Sequence, residues 1–175
     1  DELRPRLRSG PRQVVVAVDH NPALLGRARA EWPDGSVTLV ENTQAQGLSG
    51  ARNAGIAAAT GDIVAFLDDD AAAAPDWLAE LVGAFAEPAV ASVGGALEPV
   101  WLEERPAWFP DEFNWVVGCS YTGLPTATAD VRNAIGANMA FRREVLDAVG
   151  GFSTGIGRER GLPMGCEETE ISIRV

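Results

Sequence analysis

The chain has 175 residues, a formal net charge of −11 and a hydrophobic fraction of 46%. This length is enough for one domain with a buried core, and the composition is that of a globular protein. The strong negative charge argues against binding to the phosphate backbone of nucleic acid, and no apolar run is long enough for a transmembrane helix. We therefore expect a cytoplasmic domain that would reach a membrane surface only through further segments.

The first half of the chain alternates apolar runs with helix-favouring stretches. Runs such as QVVVAV and DIVAFL are typical of strands buried on both faces of a parallel sheet. Four strands and the helices between them are predicted before an irregular, proline-rich stretch, and a further strand and two helix starts follow it. The predicted strands cover residues 13–18, 36–41, 62–67, 90–97 and 132–141, and the irregular stretch covers residues 98–130. This order predicts a single α/β domain over residues 1–175, with a mostly parallel sheet flanked by helices.

Three consecutive carboxylates, Asp68, Asp69 and Asp70, end the third predicted strand. Ligands of open α/β sheets bind beyond the carboxyl ends of the strands. Adjacent carboxylates repel one another unless a cation neutralises them, and oxygen ligands suit Mg²⁺ or Mn²⁺. Side chains alternate along a strand, so Asp68 and Asp70 would point the same way. The alternative is an acidic turn that caps the next helix.

A second group of acids, Glu167, Glu168 and Glu170, lies at a predicted helix start after a glycine-rich loop. Acidic residues favour the positive end of a helix, which is one explanation of the group. The other explanation is that one carboxylate acts as general base on an acceptor hydroxyl.

Two further residues are candidates for contact with a nucleotide. Arg52 lies between Gly50 and Gly55 and offers a planar fork for phosphate or a base, although it could also be a surface arginine. Asp19 ends the first predicted strand and could accept hydrogen bonds from a base or ribose, or cap the next helix. The aromatic residues of the segment WLEERPAWFPDEFNW favour packing over a ligand platform, while a sugar-stacking role stays open.

Four segments together resemble the family 2 glycosyltransferases, whose fold is called GT-A: VVVAVDHNP, GLSGARNAGIAAATGDIVAFLDDDAAAAPDWL, IGANMAFRREVLDAVGGF and GCEETEISIR. The resemblance implies a Rossmann-like α/β sheet and a hexosyltransferase type of enzyme. It further implies inverting, metal-dependent transfer from a nucleotide-diphosphate donor, with UDP-sugar favoured, to a hydroxyl of a glycan, lipid or small molecule. The expected cofactor is Mg²⁺ or Mn²⁺.

The resemblance also implies roles for matching positions on the donor side. Asp19 corresponds to the family's base-contacting acid, and Arg52 to a residue that approaches the nucleotide. Asp68 and Asp70 correspond to the ends of the family's D-x-D motif. Asp68 would then lie near the ribose and the metal, and Asp70 would bind the metal.

On the acceptor side, Glu168 stands where the family has the catalytic base, with Glu167 and Glu170 as supporting carboxylates. The family's base is an Asp, so Glu168 is equivalent chemically but reaches further. The residues expected to line the sugar or acceptor pocket are Gly136, Ala137, Asn138 and Trp115.

One departure from the family concerns the length of the chain. The family's first strand is not found ahead of Asp1, and the sequence stops inside a predicted helix, so we expect a domain truncated at both ends. Two alternatives to a transferase stay open, namely a non-catalytic nucleotide-sugar-binding module and a sugar nucleotidyltransferase. The latter would need a basic glycine-rich loop near its start.

Overall fold

The structure is a computed structural model that describes residues 13–159, 162–163 and 165–175. The strands are β1 (Val15–Asp19), β2 (Thr38–Asn42), β3 (Ile63–Leu67), β4 (Ser92–Gly94), β5 (Asn138–Arg142), β6 (Arg158–Glu159) and β7 (Leu162–Pro163). The helices are α1 (Pro22–Glu31), α2 (Leu48–Ala58), α3 (Trp77–Ala84), α4 (Arg143–Val149) and α5 (Glu167–Arg174), with a 3₁₀ helix at Asp111–Val117. None of the helices described is long and apolar enough to cross a membrane.

The strands form separate ladders within the described residues. β1 and β2 pair in parallel, with Val15 opposite Thr38. β5 lies between β3 and β4 and runs antiparallel to both. A parallel neighbour needs a crossover connection, usually a helix, whereas β5 is entered from the irregular segment. The predicted α/β class is confirmed, and the parallel ladder is found at β1–β2.

The strands predicted at residues 90–97 and 132–141 are shorter than expected, because they end where the backbone packs closely. β4 covers only residues 92–94, and β5 begins at Asn138. A side chain at Gly95 would place its Cβ 2.3 Å from the Asn138 amide nitrogen, and one at Gly94 would lie 2.6 Å from the Ala134 Cβ. The turn at residues 134–137 therefore packs directly on the end of β4.

The apolar core lies on both faces of β5. Met139 and Phe141 are fully buried on one face, where they pack with residues of α2, β3, α4 and α5. Ala140 faces the other side and packs against Leu81 and Phe85 around α3. This alternation follows the two-residue repeat of a strand. The core therefore fixes α2 and α5 against β3, whose carboxyl end carries the acidic triplet.

β1 and β3 face each other across a cleft and form no ladder with one another among the residues described. The cleft has a volume of about 1020 Å³ and is lined along its length by β1, by α1 and α2, and by the end of β3. Unpaired strand edges are suited to pairing with another strand rather than with a small ligand. The mouth of the cleft, where the acidic residues lie, is therefore the candidate site for binding a ligand.

Candidate active site

Asp19 occupies the carboxyl end of β1 and is held by a set of hydrogen-bond donors. Its Oδ1 accepts hydrogen bonds from Asn42 Nδ2 at 2.7 Å and from His20 Nδ1 at 2.8 Å, and its Oδ2 accepts one from the Gly47 backbone N–H at 3.0 Å. Burial alone would raise the pKa of Asp19, but these hydrogen bonds outweigh it and lower the pKa below its usual value. Asp19 is thus a carboxylate fixed at the mouth of the cleft.

The acidic triplet follows β3 and turns away from the sheet at once, since the Ala71 N–H donates to the Asp68 carbonyl at 3.1 Å. All three aspartates line the cleft together with Asp19. The Asp68 side chain is 35% exposed and lies 3.5 Å from the Arg52 guanidinium, and Asp69 and Asp70 are exposed. The carboxyl ends of β1 and β3 thus bring Asp19, Asp68 and Asp70 to one mouth of the cleft.

Arg52 is buried on α2, and its guanidinium contacts several groups of the protein. Nη1 donates to Glu167 Oε1 at 2.9 Å, and Nη2 donates to the Gly136 carbonyl at 3.3 Å. The Arg52 Cζ lies 5.3 Å from the centroid of the Phe152 ring, within the range of a cation–π contact. Arg52 is therefore not a surface arginine, which was one of the two possibilities that the sequence allowed. Its predicted contact with a nucleotide stays a prediction.

The helix acids do not share one environment. Glu167 is only 5% exposed and faces Arg52, whereas Glu168 is half-buried on α5. Glu170 binds Arg174 at 2.6 Å and accepts a hydrogen bond from Ser153 at 3.0 Å. The hydrogen bond from Arg174 is the main reason that the pKa of Glu170 lies below its usual value. Because Glu167 contacts Arg52 and Arg52 contacts Asp68, the start of α5 lies beside the carboxyl end of β3.

The predicted pocket residues are divided between the framework and the surface. The Gly136 carbonyl binds Arg52, and Ala137 is half-buried next to it. The Asn138 amide is occupied within the fold, since it accepts from Trp77 Nε1 at 2.8 Å and donates to the Ala96 carbonyl at 3.1 Å. Trp115 is 60% exposed on the 3₁₀ helix. The roles of these residues in binding a sugar or an acceptor stay predictions.

The thiol of Cys119 lies just after the 3₁₀ helix that carries Trp115. Burial and, to a lesser extent, the negative charge of Asp70 raise the pKa of the Cys119 thiol. The 3₁₀ helix ends at Gly118, which has a φ of +72°. Cys119 therefore lies within electrostatic range of Asp70.

Asn42 contacts Asp19 but is not among the residues that the sequence predicts for the site. Its amide is buried and donates both to Asp19 at 2.7 Å and to the Ala45 carbonyl at 2.9 Å. The signal was available, because Asn42 ends β2 and the carboxyl ends of adjacent parallel strands share one edge of the sheet.

The strand-end carboxylates determine how the site could bind a divalent cation. No group of three or more His, Cys, Asp or Glu side chains in the described part of the chain converges to hold a metal by itself. Mg²⁺ and its analogues in phosphate-transfer sites are typically bound by one or two carboxylates plus water and substrate phosphate. Exposed carboxylates at the strand end, Asp70 above all, fit a cation that the donor helps to bind.

The chain is similar to several known proteins. A family model described as glycosyl transferase family 2 matches residues 10–150. The glucosyl-dolichyl phosphate glucuronosyltransferase of Haloferax volcanii is 37% identical over 167 residues, which cover 94% of this chain and 53% of that protein. The succinoglycan biosynthesis protein ExoM of Rhizobium meliloti is 28% identical over 159 residues, which cover 88% of this chain and 49% of that protein. The chain thus spans about half the length of these relatives.

A solved structure shares the fold. It is a mannosyltransferase from Pyrobaculum calidifontis in complex with GDP-Man and Mn²⁺, with 28% sequence identity and a TM-score of 0.59. The match covers 91% of this chain and 41% of that one.

Proposed function

The chain belongs to glycosyl transferase family 2, and from this premise we propose that it transfers a sugar from a nucleotide-diphosphate donor to an acceptor hydroxyl. The observation that carries the proposal is that Asp19, Asp68 and Asp70, at the carboxyl ends of β1 and β3, line the same cleft. The solved relative with GDP-Man and Mn²⁺ supports a nucleotide-sugar donor and a divalent cation.

On the donor side, Asp19 accepts hydrogen bonds from the base, and Asp68 faces the ribose and the metal. Asp70, with Asp68, would hold Mg²⁺ or Mn²⁺, and the cation would supply positive charge that offsets the charge developing on the departing nucleoside diphosphate. The family favours UDP-sugars, whereas the solved relative holds GDP-Man. Uridine and guanosine nucleotides are therefore both tested as donors.

On the acceptor side, Glu168 takes the proton of the attacking hydroxyl. The hydroxyl attacks the anomeric carbon from the face opposite the leaving group, so the product is inverted. Glu167 and Glu170 support the start of α5, and Gly136, Ala137, Asn138 and Trp115 border the acceptor. One relative is named for a glucosyl-dolichyl phosphate substrate, which places lipid-linked sugars among the acceptors to test.

Calorimetry on the full-length protein tests the donor side. UDP and GDP are titrated with and without Mn²⁺, and we expect one of them to bind in a Mn²⁺-dependent manner. Hydrolysis of UDP-glucose and GDP-mannose then distinguishes an enzyme from a binding module, and nuclear magnetic resonance of the released sugar reports the anomer. A nucleotidyltransferase would instead form nucleotide sugar from sugar phosphate and nucleoside triphosphate.

Glu168→Gln tests the acceptor side, because it keeps the size of the side chain and removes the base. We expect Mn²⁺-dependent nucleotide binding to persist and turnover to fall about 10²- to 10⁴-fold. Turnover at the wild-type rate would remove Glu168 from the role of base.

A further inference from the structure

Arg52 stands between the two acidic groups of the site. On one side its Nη1 binds Glu167 Oε1 at 2.9 Å, and on the other its Nη2 lies 3.5 Å from Asp68 Oδ1. Glu167 is the first residue of α5, the helix that carries Glu168, and Asp68 follows directly on β3. We propose that Arg52 is a positioning residue, anchored by Glu167, that fixes the strand-end acids relative to α5 and does not itself bind the donor.

Burial and charge support this assignment. The side chains of Arg52 and Glu167 are each only 6% exposed. The guanidinium carries one positive charge and contacts the carboxylates of Glu167 and Asp68, so its charge is already offset inside the protein. The positive charge of Arg52 is therefore largely unavailable to a diphosphate. The charge of the donor would then be met by the cation held at Asp70.

The Glu167 carboxylate contacts Arg52 through one oxygen. Its Oε1 accepts the hydrogen bond from Arg52, whereas its Oε2 is buried and has no hydrogen-bond partner among the described residues. The hydrogen bond to Arg52 therefore orients the Glu167 carboxylate.

The backbone packs closely around the pair at two glycines. A Cβ at Gly136 would lie 2.9 Å from Arg52 Nη2, and a Cβ at Gly157 would lie 3.4 Å from Glu167 Oε2. Gly157 also has a φ of +115°, a conformation that other residues rarely adopt. The planar, five-donor guanidinium fits these acceptors as a lysine ammonium cannot.

The inference rests on the proposed function and predicts a specific pattern of kinetics in the full-length protein. The variants are Arg52→Lys, Glu167→Gln and the double variant, assayed with the nucleotide sugar and Mn²⁺ that the wild type hydrolyses. Each single variant should lower kcat about 10- to 100-fold, the usual effect of losing a residue that orients a ligand of a metal site. The double variant should be no slower than the slower single variant, and the Kd for the Mn²⁺–nucleotide complex should change by a similar factor in the Arg52 and Glu167 variants.

Arg142→Lys is the matched control. Arg142 also stacks at 5.3 Å on a phenylalanine ring, that of Phe85, and donates to backbone carbonyls, but it does not line the cleft. It should keep kcat within about twofold of the wild type. Glu167→Asp provides a second route if Arg52→Lys does not fold, because it keeps the charge but is one methylene too short to reach Arg52. It should lower kcat as Glu167→Gln does.

Two results would overturn the inference. One is a Glu167 variant with wild-type kcat. The other is an Arg52→Lys protein that binds the Mn²⁺–nucleotide complex at least tenfold more weakly while Glu167→Gln binds it normally, which would mean direct contact with the donor. The proposed function fails in a different way, namely if the wild type neither binds a nucleotide with Mn²⁺ nor hydrolyses either nucleotide sugar, whatever the Arg52 variants do. If Asp70→Ala still binds and hydrolyses the donor normally, the metal role of Asp70 fails.

Discussion

The acids after β3 and those on α5 look alike in the sequence, but their side chains lie in different environments in the structure. At the end of β3, Asp69 and Asp70 are exposed, and Asp68 has one cationic contact at 3.5 Å. On α5, Glu167 and Glu170 each bind an arginine, at 2.9 Å and 2.6 Å. A carboxylate whose charge is offset inside the protein supports the framework, whereas one that is not remains available to a cation. Pairing and burial, more than residue type, therefore separate the two roles.

The largest effect that this comparison predicts is on stability. Glu167→Ala would leave the Arg52 guanidinium buried without its main partner, and breaking a buried pair in this way costs about 3–5 kcal/mol. Urea unfolding at pH 7 measures the change. Asp147→Ala is the control, because Asp147 is exposed in α4 and its loss should change the free energy of unfolding by less than about 0.5 kcal/mol. A Glu167→Ala protein as stable as the wild type would mean that Asp68 alone balances Arg52.

The second effect concerns the exposed acids. Asp70→Asn should lower turnover about 10²- to 10³-fold, because charge stabilisation at the leaving group is lost. The free energy of unfolding should change by less than about 0.5 kcal/mol, since Asp70 is exposed. Initial rates over a Mn²⁺ titration, together with urea unfolding, measure both quantities.

Asp69→Asn removes the same charge from the adjacent position and is the matched control for Asp70→Asn. Its turnover should stay within about threefold of the wild type if Asp70, rather than the summed charge of the triplet, holds the cation. Equal losses in the two variants would indicate that the total negative charge, rather than a ligand at Asp70, supports turnover.

The sequence predicted those features that depend on local pattern. Buried apolar runs located β1 and β3, and the rule of strand carboxyl ends located Asp19 and Asp68. The family and the α/β class predicted from these segments are confirmed by the family model and the solved relative. The inverting mechanism, the preference for UDP and the roles of individual residues stay predictions.

Features that depend on distant pairing could not be predicted in this way. Arg52 and Glu167 are separated by 115 positions, and no local pattern distinguishes the buried Glu167 from its neighbour Glu168. The antiparallel direction of β5 depends on how the irregular segment returns to the sheet. Periodicity within a strand carries no information about the path of the preceding loop.

A smaller effect, on pH dependence, tests the other paired acid of α5. The hydrogen bond from Arg174 lowers the pKa of Glu170 below its ordinary value of 4.5. A depressed pKa in the folded state stabilises the fold above the unfolded pKa, and that contribution is lost as the pH falls through the folded pKa. Glu170→Gln should therefore cost about 1 kcal/mol at pH 7 and less as the pH falls below 4.5.

Unfolding curves at pH 7 and at successively lower pH check this expectation. Asp19 is a second carboxyl group with a lowered pKa, so its stabilising contribution is also lost in acid. The Glu170→Gln protein should therefore still lose stability as the pH falls, but less than the wild type does. A constant difference between variant and wild type at every pH would mean that the Glu170–Arg174 pair contributes through packing and not through charge.

The smallest effect is expected where pairing occurs without burial. Arg105 Nη1 lies 2.6 Å from Asp111 Oδ1, as close as the Arg174–Glu170 pair, but the Asp111 side chain is 69% exposed. Exposed ion pairs contribute about 0.2–1 kcal/mol and are screened by salt. Asp111→Asn should therefore change the free energy of unfolding by less than about 0.5 kcal/mol in low salt and by nothing measurable in 1 M NaCl. If this variant lost as much stability as Glu167→Ala, contact distance rather than burial would determine what an ion pair contributes, and the distinction between the two acidic groups would need another explanation.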